Sequence, residues 1–350
     1  MALKYKEGWL YFLGEKDFKS GETFSYVKIG KTNNGRPVSE RMDDHQTGNP
    51  RHIVEVSESI RTNFINALEI YLHNRFATKR VSGEWFELDE KGIKKVVSEA
   101  NKVNLLLDTV LKEGQAIKEI KESESNGNII SANKSIKTNY QSYLSYKKKS
   151  IHYSLKKEII RYKISELTAL HAGVQGVFKQ YMTPRNKFDD EGFKKKHPAL
   201  YKKYRKVEYP LKNPKFIIVN NPTKANSYEK LYSEFKILES NSKKHTKFQD
   251  KTIDRDSNFE ALHQDWLELT EKESQSQLHS DIYYLKLQYA CKLNEKIDNV
   301  CTWKRVQEEK ISIDKIALKK DNEKIHQKFM VPHSVSPTRT MIAGRPYSFE

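Results

Sequence analysis

The sequence predicts an α+β protein, with a small, mainly antiparallel three-stranded sheet flanked by helices at the N-terminus and a mostly helical, basic region after it. Three observations predict this. Short aromatic and β-branched runs bounded by glycine occupy the start of the chain, apolar residues then recur at helical spacing, and the excess of basic residues lies in the later part.

Gly8 to Gly14 and Ser25 to Thr32 are the first such runs, and they predict two strands of a hairpin connected through Lys16 to Thr23. Pro37 stands where a helix can begin, because its missing N–H is one that a first turn leaves unpaired anyway. A short helix is therefore expected over Val38 to Thr47, stopped by Gly48-Asn49-Pro50. Arg51 to Ile60 alternates as a third strand. Asn63 is expected to cap a helix whose apolar face is Phe64, Leu68, Leu72 and Phe76. After Gly83-Glu84-Trp85-Phe86, whose two aromatics are read as packing residues, a third helix is expected from Glu90 to Lys112. Ile93, Val97 and Leu105 to Leu107 are among its apolar positions.

These elements delimit a unit over residues 1–112. Residues 113–140, rich in Ser, Asn, Lys and Glu, are expected to form a polar linker, partly helical, and residues 141–350 a basic, mainly helical domain for DNA binding or targeting. The clearest later helix carries Leu278, Ile282, Leu285, Tyr289 and Leu293 as a stripe, and Lys215 to Asn221, between Pro214 and Pro222, predicts one strand. Phe188 to Tyr204 and Ile313 to Phe329 are weakly alike: Asp189, Lys194, Lys195 and Lys203 recur as Asp314, Lys319, Lys320 and Lys328. Duplicated helical units or chance likeness between lysine-rich helices would both explain this.

The 350 residues carry 63 Lys and Arg against 46 Asp and Glu, a net charge of +17. Residues 1–112 are nearly balanced, at 18 against 16, so the excess belongs to residues 113–350. Such a surface suits a polyanion, because its cations displace counterions condensed on nucleic acid. With 50 lysines and 13 arginines, point-charge contacts to phosphate are favoured over paired readout of guanine. No apolar run is long enough to span a bilayer, so no membrane is expected as a partner and a cytoplasmic location is. Cys291 and Cys301 have neither metal-site spacing nor clustered histidines, and are expected to be buried, reduced thiols.

Phosphodiester hydrolysis requires an activated water, positive charge on the phosphate and help for the leaving oxygen. The N-terminal unit supplies candidates: Tyr11 and Lys28 on adjacent strands, Arg41 and His45 at i and i+4 on one helix, and Glu69 and His73 at the same spacing on another. Lys31, Arg51, Lys147, Lys148, Lys194, Lys195, Lys202 and Arg205 are candidate DNA contacts, with Tyr201 and Tyr204 interleaved.

Taken in order, Trp9-Leu10-Tyr11, Lys28-Ile29-Gly30, Arg41, His45, the helix from Ala67 to Phe76, and Gly83-Glu84-Trp85-Phe86 resemble the GIY-YIG nuclease superfamily over residues 8–100, in the subgroup common in phages and mobile elements. The first glycine of that pattern is replaced by Trp9, and lysine stands for tyrosine at Lys28. The resemblance implies a metal-dependent DNA endonuclease that leaves 5′-phosphate and 3′-hydroxyl ends. It also implies that Glu69 binds one Mg²⁺ or Mn²⁺, that Tyr11 helps deprotonate the attacking water with Lys28 as its neighbouring cation, that Arg41 holds the phosphate, and that His45 shares the proton transfer. Two other readings stay open: a DNA-binding module without cleavage, and a basic protein that binds RNA or a protein partner.

Overall fold

Two antiparallel strands open the fold, β1 (Gly8–Lys16) and β2 (Thr23–Asn33), as the glycine-bounded runs predict. The computed structural model describes residues 3–212, 215–245 and 247–345. Helix α1 (Val38–Gln46) follows Pro37, and β3 (His52–Thr62) returns along β1. Helix α2 (Ile65–Arg75) starts later than expected. Its N-cap is Phe64, while the Asn63 amide donates to Asp108 and the Thr62 hydroxyl accepts from the Phe64 N–H.

The sheet has five strands, in the order β3-β1-β2-β5-β4, where three were expected. The additional pair is β4 (Arg80–Ser82) and β5 (Trp85–Glu87), turned at Gly83, whose φ of +55° favours glycine. Three residues per strand are too few for an alternation to be visible in sequence. Trp85 and Phe86 do pack, but as strand residues, with Trp85 opposite Lys28 and Phe86 opposite Val27.

Alternation along β1 and β2 divides the side chains between two layers. Leu10, Phe12, Val27 and Ile29 join Leu68 and Leu72 of α2 in the main core, while Tyr11 and Leu13 join Ile53, Val38, Met42 and Trp85 on the other face, beneath α1. Helix α3 (Glu90–Asp108) is capped by Asp89 and buries Val96, Ala100, Val103 and Leu107; Leu105, expected inside, is exposed. It breaks at Thr109 and Val110, and α4 (Leu111–Ile120) follows. The stretch expected as a linker is therefore structured: it contains α4 and β6 (Ile129–Ile130), and Ile117, Ile136 and Tyr140 enter the main core. A few apolar residues among many polar ones suffice when each of them is buried.

The remainder is helical but also contains short strands. It runs through α5 (Lys134–Thr168), β7 (Gly173–Val174), β8 (Phe178–Phe188), α6 (Asp190–Lys196), α7 (Pro198–Lys203), β9 (Arg205–Glu208), β10 (Leu211–Lys212) and β11 (Ile217–Ile218). Then come α8 (Lys224–Ser227), α9 (Glu229–Lys243), α10 (Ser257–Cys291), β12 (Lys296–Ile297), β13 (Cys301–Thr302), β14 (Val306–Gln307), β15 (Lys310–Ile313), α11 (Lys315–Asp321), α12 (Glu323–Lys328) and β16 (Met330–Met341). The strand expected over Lys215 to Asn221 shrinks to β11, and Pro214 lies outside the described residues. In α10, Leu278, Ile282 and Leu285 are buried as their spacing predicts, whereas Leu293 lies beyond the helix and is exposed. Cys291 and Cys301 are free and buried. Among the described residues no helix is long and apolar enough to cross a membrane.

The weak internal likeness proves to belong to a duplication much larger than the matching segments. The 35-residue helices α5 and α10 are each capped by the side chain of the preceding residue, Asn133 and Asp256, and each is followed by a short hairpin, a strand, a seven-residue helix, a six-residue helix and a returning strand. Bonds between the copies are reciprocal. The Ala172 N–H donates to the Lys251 carbonyl as Glu295 does to Asn128; Asp189 donates to Phe329 as Asp314 does to Tyr204; Ile342 donates to Val177 as Val219 does to Val300. Even a side-chain bond repeats, since the Tyr140 hydroxyl donates to the Val219 carbonyl and His263 Nε2 meets the Ile342 carbonyl at the matching place. Each copy completes the other in the same way, which is the pattern of a two-fold interface within one chain.

Candidate functional site

The site forms on the α1 side of the sheet, where β1 and β2 run antiparallel with Tyr11 opposite Gly30. Tyr11 is fully buried, and its ring covers the Gly30 Cα so closely that a Cβ there would lie 2.5 Å from its Cε2, Cζ and Oη atoms. The absence of a side chain at Gly30 thus seats the tyrosine. Helix α1 brings His45 above it, with Nε2 3.4 Å from the Tyr11 hydroxyl, and places Arg41 against the same phenol. The i and i+4 spacing of Arg41 and His45 accounts for their shared direction. Arg41 also bonds Asp44 at 2.8 Å.

Two lysine–glutamate pairs flank this triad. Lys28 Nζ lies 2.6 Å from Glu84 in the β4–β5 turn, and Lys31 Nζ lies 2.7 Å from Glu69 on α2. The two carboxylates repel one another, and Glu84 also acts on His45, His73 and Tyr11, so these groups share one electrostatic neighbourhood. Glu84 is absent from the residues picked out by sequence as catalytic. Its signal was the Gly-Glu-Trp-Phe run, but only the turn of β4 into β5 reveals that its carboxylate faces Lys28.

Burial and neighbouring charge set the protonation states. Burial raises the Tyr11 phenol above its ordinary pKa, partly opposed by Arg41, so the group is protonated at neutral pH. Burial, together with the charges of Lys28 and Arg41, lowers His45 and leaves a neutral imidazole. Burial likewise raises Glu69, and Lys31 only partly offsets it. For Glu84 burial also acts upward, but the bond to Lys28 prevails and the carboxyl is lowered. His73 is pushed down to about 4 by burial and meets the Ile29 carbonyl at 2.8 Å; it fastens α2 to β2 as a neutral side chain.

Three expectations change at this point. Lys28 is bonded to Glu84, and the cation beside the Tyr11 phenol is Arg41. Lys31 is not a free phosphate contact, because its ammonium is held by Glu69. Arg51 is likewise engaged, bonding Glu15 at 2.8 Å and lying 4.0 Å over the Phe24 ring. The remaining candidates lie on the duplicated part: Lys147 and Lys148 on α5, with Lys148 5.9 Å over the Tyr228 ring, and Lys194, Lys195, Lys202 and Arg205 exposed on or beside α6 and α7. Tyr204 is buried in the small core there and Tyr201 packs against it, so neither is a free stacking platform.

No group of three or more His, Cys, Asp or Glu side chains is arranged to hold a metal ion among the described residues. A hard divalent cation that keeps most of its waters needs only one or two carboxylates. Glu69 fits that role: its carboxylate is buried with Oε2 2.7 Å from Lys31, and burial still holds the carboxyl above its ordinary pKa, so a further cation beside it would be stabilising.

A sheet-and-helix unit that sets a half-buried histidine and arginine against a buried tyrosine, and couples that tyrosine electrostatically to the carboxylates of Glu69 and Glu84, is a candidate for acid–base chemistry on an anion. Residues 8–101 match the model of the T5orf172 domain, a phage-associated, nuclease-like family. This is a different family from the GIY-YIG superfamily, so that resemblance is corrected: the stretch that carries those motifs is similar to the T5orf172 domain instead. No curated protein and no solved structure matches the chain.

Proposed function

We propose that the N-terminal unit is a metal-dependent endonuclease acting on DNA, with the cluster of Tyr11, Arg41, His45 and Glu69 as its active site. The observation that carries the reading is the His45 imidazole, kept neutral by burial and by the charges of Lys28 and Arg41, with its Nε2 3.4 Å from the Tyr11 hydroxyl. A neutral imidazole accepts a proton from water at physiological pH, whereas a buried phenol of raised pKa does not. His45 is accordingly the base in this reading, and Tyr11 is the residue that positions it. Arg41, which already bonds Asp44 and the Tyr11 phenol, would turn its remaining guanidinium N–H groups to a phosphate oxygen as charge develops. Glu69 would hold Mg²⁺ or Mn²⁺, which supplies Lewis acidity toward the phosphate when bound.

Nicking or linearisation of supercoiled plasmid by the full chain, with Mg²⁺, Mn²⁺ or EDTA, tests the proposal. Metal-dependent cleavage that Glu69→Gln and His45→Ala each reduce by at least about 100-fold supports it, in line with the usual contribution of a general base. Cleavage that survives either substitution refutes the assigned roles. Binding without cleavage under every condition would favour a DNA-binding module, a reading to which the ion pairs already made by Glu69 and Glu84 lend some weight.

A further inference from the structure

The two copies of the duplicated unit meet far along the chain in a small lobe, residues 185–208 and 310–333. Its core is built from equivalent residues of each copy: Phe188 with Ile313, Phe193 with Leu318, Tyr204 with Phe329. Two antiparallel ribbons frame it, β8 with β16 and β9 with β15, and both are largely exposed. The 48 residues of the lobe carry 15 Lys and Arg against 7 Asp and Glu, so +8 of the chain's +17 is concentrated there.

The copies have diverged, and the identities that remain are informative. Over 189–204 and 314–329 four positions agree: Asp189 with Asp314, Lys194 with Lys319, Lys195 with Lys320, and Lys203 with Lys328. The aspartates have a local reason, since each caps its helix by accepting an N–H bond at 2.9 Å, from Gly192 or from Ala317. The lysines share one local place, since all six lie in the last turn of their short helices, where a cation complements the helix dipole. Lys194 lies 5.5 Å over the Tyr201 ring and Lys203 4.9 Å over Tyr204, but the places of those two tyrosines are taken by His326 and Phe329 in the other copy. Lys194, Lys195, Lys319, Lys320 and Lys328 are exposed and make no ion pair among the described residues, and Lys203 reaches only the exposed Asp321, at 3.8 Å. A cation in a last turn contributes only about 0.3–1 kcal/mol, which does not explain why six exposed ammonium groups, five of them without an ion pair among the described residues, collect at equivalent places on one lobe; a polyanion common to both copies would use them.

The antiparallel backbones of a duplex are related by two-fold axes, and a protein surface of the same symmetry presents the same cation to each strand. We infer that this lobe binds double-stranded DNA across its internal two-fold, Lys194, Lys195 and Lys203 meeting phosphates of one strand and Lys319, Lys320 and Lys328 those of the other. Lysines make backbone contacts without base readout, so the lobe anchors the duplex and leaves sequence unread. The inference rests on the nuclease reading only for the choice of DNA as polyanion.

The test is the salt dependence of duplex binding by the full chain in EDTA, for the parent protein, Lys194→Ala/Lys195→Ala, Lys319→Ala/Lys320→Ala and the four combined. The slope of log K against log salt should fall by about 1.8 for either pair and about 3.6 for the combination, at about 0.9 per phosphate contact. Single-stranded DNA of the same sequence should lose less than half as much slope. Thermal unfolding checks that the variants are folded, which exposed lysines predict. An unchanged slope for either pair, an equal loss with single strands, or equally tight and equally sensitive binding of duplex RNA overturns the inference. Absence of plasmid cleavage together with the stated slopes would defeat the nuclease reading and leave this one standing.

Discussion

Replacing Gly30 by alanine isolates the contact that seats Tyr11. The new methyl would lie 2.5 Å from Cε2, Cζ and Oη of the ring, against an ordinary carbon contact of about 3.5 Å, so the ring must retreat by about 1 Å. Tyr11 is fully buried and packed with Leu13, Ile53 and Trp85, which leaves little room for that retreat. Gly30 is not among the glycines of positive φ, so the effect is steric and owes nothing to backbone strain. Overpacking of this kind costs about 1–3 kcal/mol, offset by about 0.5 kcal/mol or more from the lower chain entropy of alanine. Equilibrium urea unfolding of the four proteins of a cycle, with and without Tyr11→Ala, separates the terms. Gly30→Ala should destabilise by about 0.5–2.5 kcal/mol beside tyrosine and should be neutral or slightly stabilising beside alanine. The displacement also disturbs the 3.4 Å contact of the hydroxyl with His45, so cleavage should fall more than folding does. Equal costs in the two backgrounds would refute the account of why glycine stands at this position.

The pH dependence of cleavage distinguishes the two candidate bases. Burial, Lys28 and Arg41 lower His45 from its ordinary 6.5, so the active neutral form is lost only as the pH falls through that lowered value. Single-turnover rates should rise from acid, level off below pH 6.5 and remain flat through neutrality; a rise that continues on the alkaline side would return the role of base to Tyr11. The duplication predicts matched costs for its two caps. Asp189→Ala and Asp314→Ala should each destabilise by about 1 kcal/mol in urea unfolding, and a difference of several-fold between them would argue that the copies are not mechanically equivalent.

Much of the N-terminal unit was legible in sequence because its signals are local. The period of two in β1 and β2, the four-residue spacing of Phe64, Leu68, Leu72 and Phe76, and Pro37 ahead of α1 each depend only on neighbours along the chain. The same spacing put Arg41 and His45 on one face of α1 and Glu69 and His73 among the buried residues of α2. The likeness of 188–204 to 313–329 was likewise a sequence observation, although it covered only the part of the duplication where identities survive.

Only the tertiary structure decided which charges meet. Lys28 could have been a free cation and Lys31 a phosphate contact until strand register and the β4–β5 turn brought Glu84 and Glu69 to them. The stretch from 113 to 140 looked like a linker because its composition is polar, yet burial of Ile117, Ile136 and Tyr140 outweighs the average. The full extent of the duplication was hidden for a related reason. Reciprocal backbone bonds preserve a fold while side chains drift, so the two-fold is written in pairings such as Asp189 with Phe329 and Asp314 with Tyr204, which no local pattern records.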